Sequence, residues 1–176
     1  MKINVSSIVR DHFETLYDSR SNRASFSDVA IFYMLPAIAA ISSYYFQMKF
    51  DANAYNISVT FFGIFIALIL NIQVAMFSIF QRKWEIPSDK RVAASMANTL
   101  ADRKKLLIEL NANLSYLILV CCVALVLSLL SFIKSFDNCV IPAVMVFLYA
   151  HFLLTLLMVV KRAHALFHKE YRDSPN

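Results

Sequence analysis

The chain has 176 residues, of which 59% are hydrophobic and 16% charged, with a net charge of +5 and a single glycine. A soluble domain of this length carries roughly 25% charged residues, so the excess of apolar side chains points to lipid as the solvent for much of the surface. The lone Gly63 excludes a dinucleotide-binding turn, a phosphate-cradling loop and a carbonyl-lined ion filter, each of which needs several glycines where the backbone is strained or meets a ligand closely.

Residues 1–28 form a polar leader with no short apolar run followed by a small-residue cleavage site, so a removable signal peptide is not expected. Within it Val5, Ile8, Val9, His12, Phe13, Leu16 and Tyr17 recur on one helical face, with Arg10, Asp11, Glu14 and Asp18 on the other. The spacing predicts an amphipathic helix that lies on the inner leaflet or packs against the bundle. The second placement is favoured because the polar face carries both signs, with Arg10 and Glu14 spaced as a pair.

Residues 29–80 read as a first transmembrane hairpin, with spans at 29–48 and 57–80, and residues 112–160 as a second, with spans at 112–133 and 139–160. Each span exceeds or matches the ~20 helical residues that cross a ~30 Å hydrocarbon core, and none contains Asp, Glu, Lys or Arg. Pro36, in the first span, removes a backbone donor and leaves a carbonyl that neighbouring helices must satisfy; Pro142 suits a first helical turn. The three cysteines offer no disulfide framework and no metal spacing: Cys121 and Cys122 sit inside the third span as small hydrophobes, and Cys139 lies near an outer loop.

Between the hairpins, residues 81–111 form a basic segment. Trp84 marks an interface, Pro87, Ser88 and Asp89 read as a helix start, and no Gly or Pro interrupts the chain from there to Ile133. One helix of ~45 residues, ~68 Å long, is predicted, of which about half stands outside the membrane. The fourth span likewise continues without a breaker into the tail, residues 161–176, through Lys161, His164, Phe167 and Tyr171. The expected fold is therefore all-α: a polytopic membrane protein of four transmembrane helices in two hairpins, extended into the cytoplasm and preceded by an amphipathic helix.

Of the 17 basic residues, all but Lys49 and Lys134 fall in the leader, the middle segment or the tail, which puts both termini and the middle segment in the cytoplasm. Arg82, Lys83, Lys90, Arg91, Arg103, Lys104 and Lys105, with Arg162 and Lys169, form the expected docking or lipid-contact surface. Acidic residues are interleaved with them, so contact with membrane lipids or a soluble cytoplasmic protein is expected rather than direct nucleic-acid binding.

Inside the spans the polar candidates are few. Asn71 and Gln73 lie deep in the second span, where an amide needs a partner; they are expected to join helices or subunits of a homo-oligomer. The competing reading is a pore lined by Asn71 with Ser78, Ser42 and Thr155. His151 is the one histidine well inside a span, and a structural hydrogen bond is favoured over a sensing role. His164 and His168 have metal-ligand spacing with Glu170 nearby, but without a third fixed ligand the pattern is weak, so no metal or other cofactor is expected. No nucleophile–base pair or carboxylate pair stands at membrane depth, and an enzyme is not expected.

The leader, the FYMLPAIAA run at residues 32–40, the basic helical middle and the ALFHKEY tail at residues 165–171 together give a layout similar to small four-span membrane proteins of bacterial antiphage defence islands, the Kiwa membrane subunits in particular. The resemblance covers the whole chain as layout. It implies an inner-membrane homo-oligomer acting as sensor and scaffold, whose cytoplasmic face recruits a soluble, nucleic-acid-handling partner. It carries over no catalytic residue.

Overall fold

The computed structural model describes residues 5–18, 23–24, 26–80, 90–133 and 138–173, with the backbone alone described at the margins of several of these stretches. The helices are α1 (Val5–Glu14), α2 (Phe26–Tyr45), α3 (Ala52–Phe80), α4 (Lys90–Ile133) and α5 (Val140–Asp173). The all-α expectation holds, apart from a two-residue antiparallel ladder between α1 and α2 that pairs Tyr17 with Ala24 and Asp18 with Arg23. The unbroken α4 and α5 follow the absence of glycine and of interior breakers. The proposed helix start at Pro87 to Asp89, with Trp84, lies outside the described residues.

Local chemistry sets the helix ends. Asp51 accepts the Ala54 N–H at 2.8 Å to cap α3, and Asn138 accepts the Ile141 N–H at 3.3 Å to cap α5. At the end of α2 the Met48 N–H reaches Ser43 O and the Gln47 N–H reaches Tyr44 O, both at 3.0 Å, while Gln47 turns to φ 51°. That pair of bonds is a Schellman motif, with glutamine where glycine is usual.

Three helices are long and apolar enough to cross a membrane, over Ala52–Ser78, Leu100–Ile133 and Val140–His168, and they mark the chain as a membrane protein. The apolar stretch of α2, Ala30–Tyr45, is shorter, about 24 Å at helical rise.

Packing departs from two closed hairpins. α2 lies along α5, α5 on α4, and α4 on α3, whereas α2 and α3 share no extensive interface although only residues 46–51 join them. The first hairpin is therefore open, and the spatial order is α2, α5, α4, α3. The leader helix packs against α4.

The seam between these helices repeats every seven residues. α4 buries Leu107, Leu110, Leu114, Leu117, Cys121 and Ala124, continued by Ser128 and Ser131. α3 supplies Tyr55, Phe62, Ile69 and Met76, and α5 supplies Met145, Phe152, Val159 and Leu166. Steps of three and four on α4, and of seven on its neighbours, keep one face turned inward, as in left-handed coiled-coil packing. The α4 row changes from leucines to Cys, Ala and Ser away from its basic end, which lets helices approach closely there and leaves room for large rings. Gly63 faces Leu125 toward that narrow end, 4.0 Å from where a Cβ would stand, and Gln73 bonds Ser115 near the other, so α3 and α4 run antiparallel along one register.

Candidate functional site: a polar seam under the leader helix

α2 is tied to the bundle through its proline. In a regular helix the Phe32 carbonyl would accept from residue 36, but Pro36 has no N–H to give. His151 of α5 supplies the donor: its Nδ1 lies 3.0 Å from Phe32 O, and its Nε2 lies 2.8 Å from the Tyr116 hydroxyl of α4. A carbonyl only accepts, so Nδ1 carries the proton and Nε2 accepts from Tyr116. His151 is thus fully engaged, 2% exposed, and joins three helices.

The other face of Tyr116 holds the leader. The His12 ring stacks on it at 3.8 Å, with 4° between planes, and His12 is wholly buried. His12 Nδ1 lies 2.8 Å from Asn113 Oδ1, and the Asn113 amide nitrogen donates to Glu109 O at 2.8 Å. The Asn113 oxygen accepts, so His12 also carries its proton on Nδ1; its Nε2 is buried with no hydrogen-bond partner among the described residues. The Thr15 hydroxyl is shared between His12 O at 2.7 Å and Asn113 Oδ1 at 2.9 Å. Arg162 closes the seam from α5, donating to Thr15 O at 2.6 Å with Glu109 Oε2 at 3.9 Å.

Burial holds the His12 pKa down to about 4 from 6.5; the Asn113 hydrogen bond opposes this, and His151 and Arg162 add to it. With His12 neutral at pH 7 and the Thr15 hydroxyl committed to its two acceptors, the seam is a set of mutual polar contacts. It can fasten the leader helix to α4 and α5.

Among the residues singled out from the sequence, Gln73 joins α3 to α4, with Nε2 at 2.9 Å from Ser115 Oγ and 3.4 Å from Asn111 Oδ1. Asn71 is exposed on α3, with no hydrogen-bond partner among the described residues. The residues suggested as a pore lining do not converge within one chain. Asn71, Ser78 and Ser42 are exposed, Ser78 bonds its own backbone at Ala75 O, and Thr155 is buried against His151 O. His164 and His168 stack at 6.2 Å, and no group of three metal-ligating side chains occurs among the described residues.

Lys104 and Lys105 are exposed on α4, with Arg103 half-buried beside them. Arg162 departs from the expected docking surface: its side chain is 17% exposed and turned inward, because the leader carbonyl and Glu109 are its partners. Lys90 and Arg91 fall in the first turn of α4 and Lys169 near the end of α5 by backbone position, while Arg82 and Lys83 lie outside the described residues. The sequence reading passed over Asn113 and Tyr116. The available signal was an amide and a phenol at the edge of a span, one helical turn from each other's face. No protein family, curated protein or solved structure matches the chain.

Proposed function

We propose that the protein is an inner-membrane scaffold and sensor subunit that self-associates and presents a basic cytoplasmic surface to a soluble partner. The observation that carries this reading is the polar seam: Arg162, Thr15, His12 and Asn113 tie the leader, α4 and α5 into one block at the basic end. A block of this kind gives Arg103, Lys104 and Lys105 a fixed frame from which to meet a partner. In this reading α2 is the fourth span, flanked by thinned lipid to suit its short length, and both termini lie in the cytoplasm. Asn71 faces outward to a second copy, since an amide in hydrocarbon gains about 0.6–2 kcal/mol from a partner across helices. The layout similarity to Kiwa membrane subunits supports antiphage defence as the process and a nucleic-acid-handling protein as the partner in this reading.

The test is a mild-detergent pull-down from the native host with mass determination of the intact complex. A stoichiometric soluble protein on a homo-oligomer is expected, and the triple reversal Arg103→Glu, Lys104→Glu, Lys105→Glu is expected to release it with helix content unchanged. Retention of the partner by that variant sinks the docking surface. A partner-free oligomer moves the assignment to a pore-forming effector, to be checked by conductance in liposomes and its loss in Asn71→Leu.

A further inference from the structure

Two cavities meet on the outer side of α4 near its basic end. The larger, ≈ 700 Å³, opens between α1 and α4 and is walled by Asp11 and Glu14 on one side and by Lys104, Lys105 and Glu109 on the other. The smaller, ≈ 270 Å³, lies between α3 and α4 against Met76, Phe77 and Leu107. Ile108 and Asn111 line both, so a space with charges of both signs adjoins an apolar one across these two side chains. A volume in the ~300–1,000 Å³ range is that of small-molecule sites.

Depth follows from the register of the two helices. Gln73 bonds Ser115, so seven residues further along α3, at Phe80 where the apolar run gives way to Gln81, Arg82 and Lys83, the antiparallel α4 has reached the neighbourhood of Ile108. Lys104 and Lys105 stand about one turn, ~5 Å, beyond that level. The charged cavity is thus at head-group depth, and the apolar one reaches back along α3 into the hydrocarbon.

We propose that this double cleft holds one phosphatidylethanolamine molecule, with its phosphate at Lys104 and Lys105, its primary ammonium at Asp11 and Glu14, and an acyl chain along Met76, Phe77 and Leu107. The charge pattern selects this class. Phosphatidylglycerol brings the same single phosphate charge to the lysines but offers Asp11, Glu14 and Glu109 only neutral hydroxyls in place of an ammonium, and a choline head group cannot donate hydrogen bonds to carboxylates. Arg10 approaches Asp11 at 3.9 Å and Glu14 at 3.7 Å, and each carboxylate retains further acceptor sites for an ammonium. The proposal rests on the chain lying in a membrane and not on a soluble partner. Asp11 and Glu14 belong to it alone, so its failure and that of the docking surface are separable.

The experiment is native mass spectrometry of the full chain, delipidated in detergent and titrated with phosphatidylethanolamine or phosphatidylglycerol of matched chains. About tenfold tighter binding of the ethanolamine lipid is expected, and Asp11→Asn with Glu14→Gln is expected to bring the ratio to about one without weakening phosphatidylglycerol. Both carboxylate side chains are more than half exposed, so the fold does not depend on them. Ile108→Trp, which fills the junction of the cavities, is expected to weaken both lipids. Equal or tighter binding of phosphatidylglycerol by the natural chain, or a preference that survives neutralisation of the two acids, overturns the proposal. So does displacement of the lipid by glycerophosphoethanolamine at equal concentration, which would assign the cleft to a soluble head group.

Discussion

Pro36 and His151 act as one unit although they lie on different helices: one removes a donor from the Phe32 carbonyl and the other replaces it. The consequence is a testable non-additivity. His151→Leu leaves Phe32 O and Tyr116 without partners and is expected to cost about 1–3 kcal/mol, read as a lower Tm in detergent. In a Pro36→Ala background residue 36 again offers an N–H, so the same His151 change is expected to cost measurably less; equal costs in both backgrounds would break the link. His12 gives a second prediction. Detached from its seat, this histidine takes a proton near pH 6.5, and docked it does so only near pH 4. Between those values the detached leader binds more protons, so docking is strongest above about pH 6.5 and weakens as pH falls towards 4, by roughly 3 kcal/mol in all. Hydrogen exchange of α1, corrected for its intrinsic pH dependence, should follow that slope. The slope should flatten in His12→Phe.

At the scale of the helix, the seven-residue seam fixes which side chains tolerate change. Ala124 is fully buried in the narrow half of α4, and Ala124→Leu is expected to lose about 1–3 kcal/mol by overpacking. Its neighbour Val123 is 45% exposed on the outer face, and Val123→Leu is expected to stay within ~0.5 kcal/mol; thermal melts of the two variants in one detergent make the comparison. The same helix shows what a sequence can disclose about a protein of this kind. The length of α4 was legible because nothing between residues 90 and 133 breaks a helix, and the carbonyl freed by Pro36 was legible because proline has no donor. The inward face was harder to see. When lipid is the outer solvent, Ile118 or Val123 looks like Leu117, and the only remaining cue is the recurrence of seven. Depth misled in a similar way. Asn71 is deep but turns outward, whereas Asn113, at the margin of its span, turns inward and receives the leader.

Across the whole molecule, the order α2, α5, α4, α3 gives a row of helices with two free sides instead of a closed bundle. Engineered cysteine pairs read this directly in a background lacking Cys121, Cys122 and Cys139. A pair placed where α2 faces α5 is expected to cross-link within one chain. A pair between α2 and α3 is expected to cross-link only between chains, appearing as a dimer on a non-reducing gel. An α2–α3 cross-link that forms within a monomer would contradict the open first hairpin.

The seam also imposes a schedule on biosynthesis. α1 and α2 emerge from the ribosome before the rest, yet their closing partners, Arg162 for the Thr15 carbonyl and His151 for the Phe32 carbonyl, are both carried by α5, the last helix made. The α3–α4 pair needs no such delay, because Gln73 and Ser115 are both present once α4 is complete. Nascent chains arrested before residue 151 should therefore hold a settled α3–α4 pair with the leader already seated on Asn113 and Tyr116, beside an α2 that still lacks the helix it lies along. Release of the full chain should dock α2 through His151 and latch the seated leader through Arg162 in one late step.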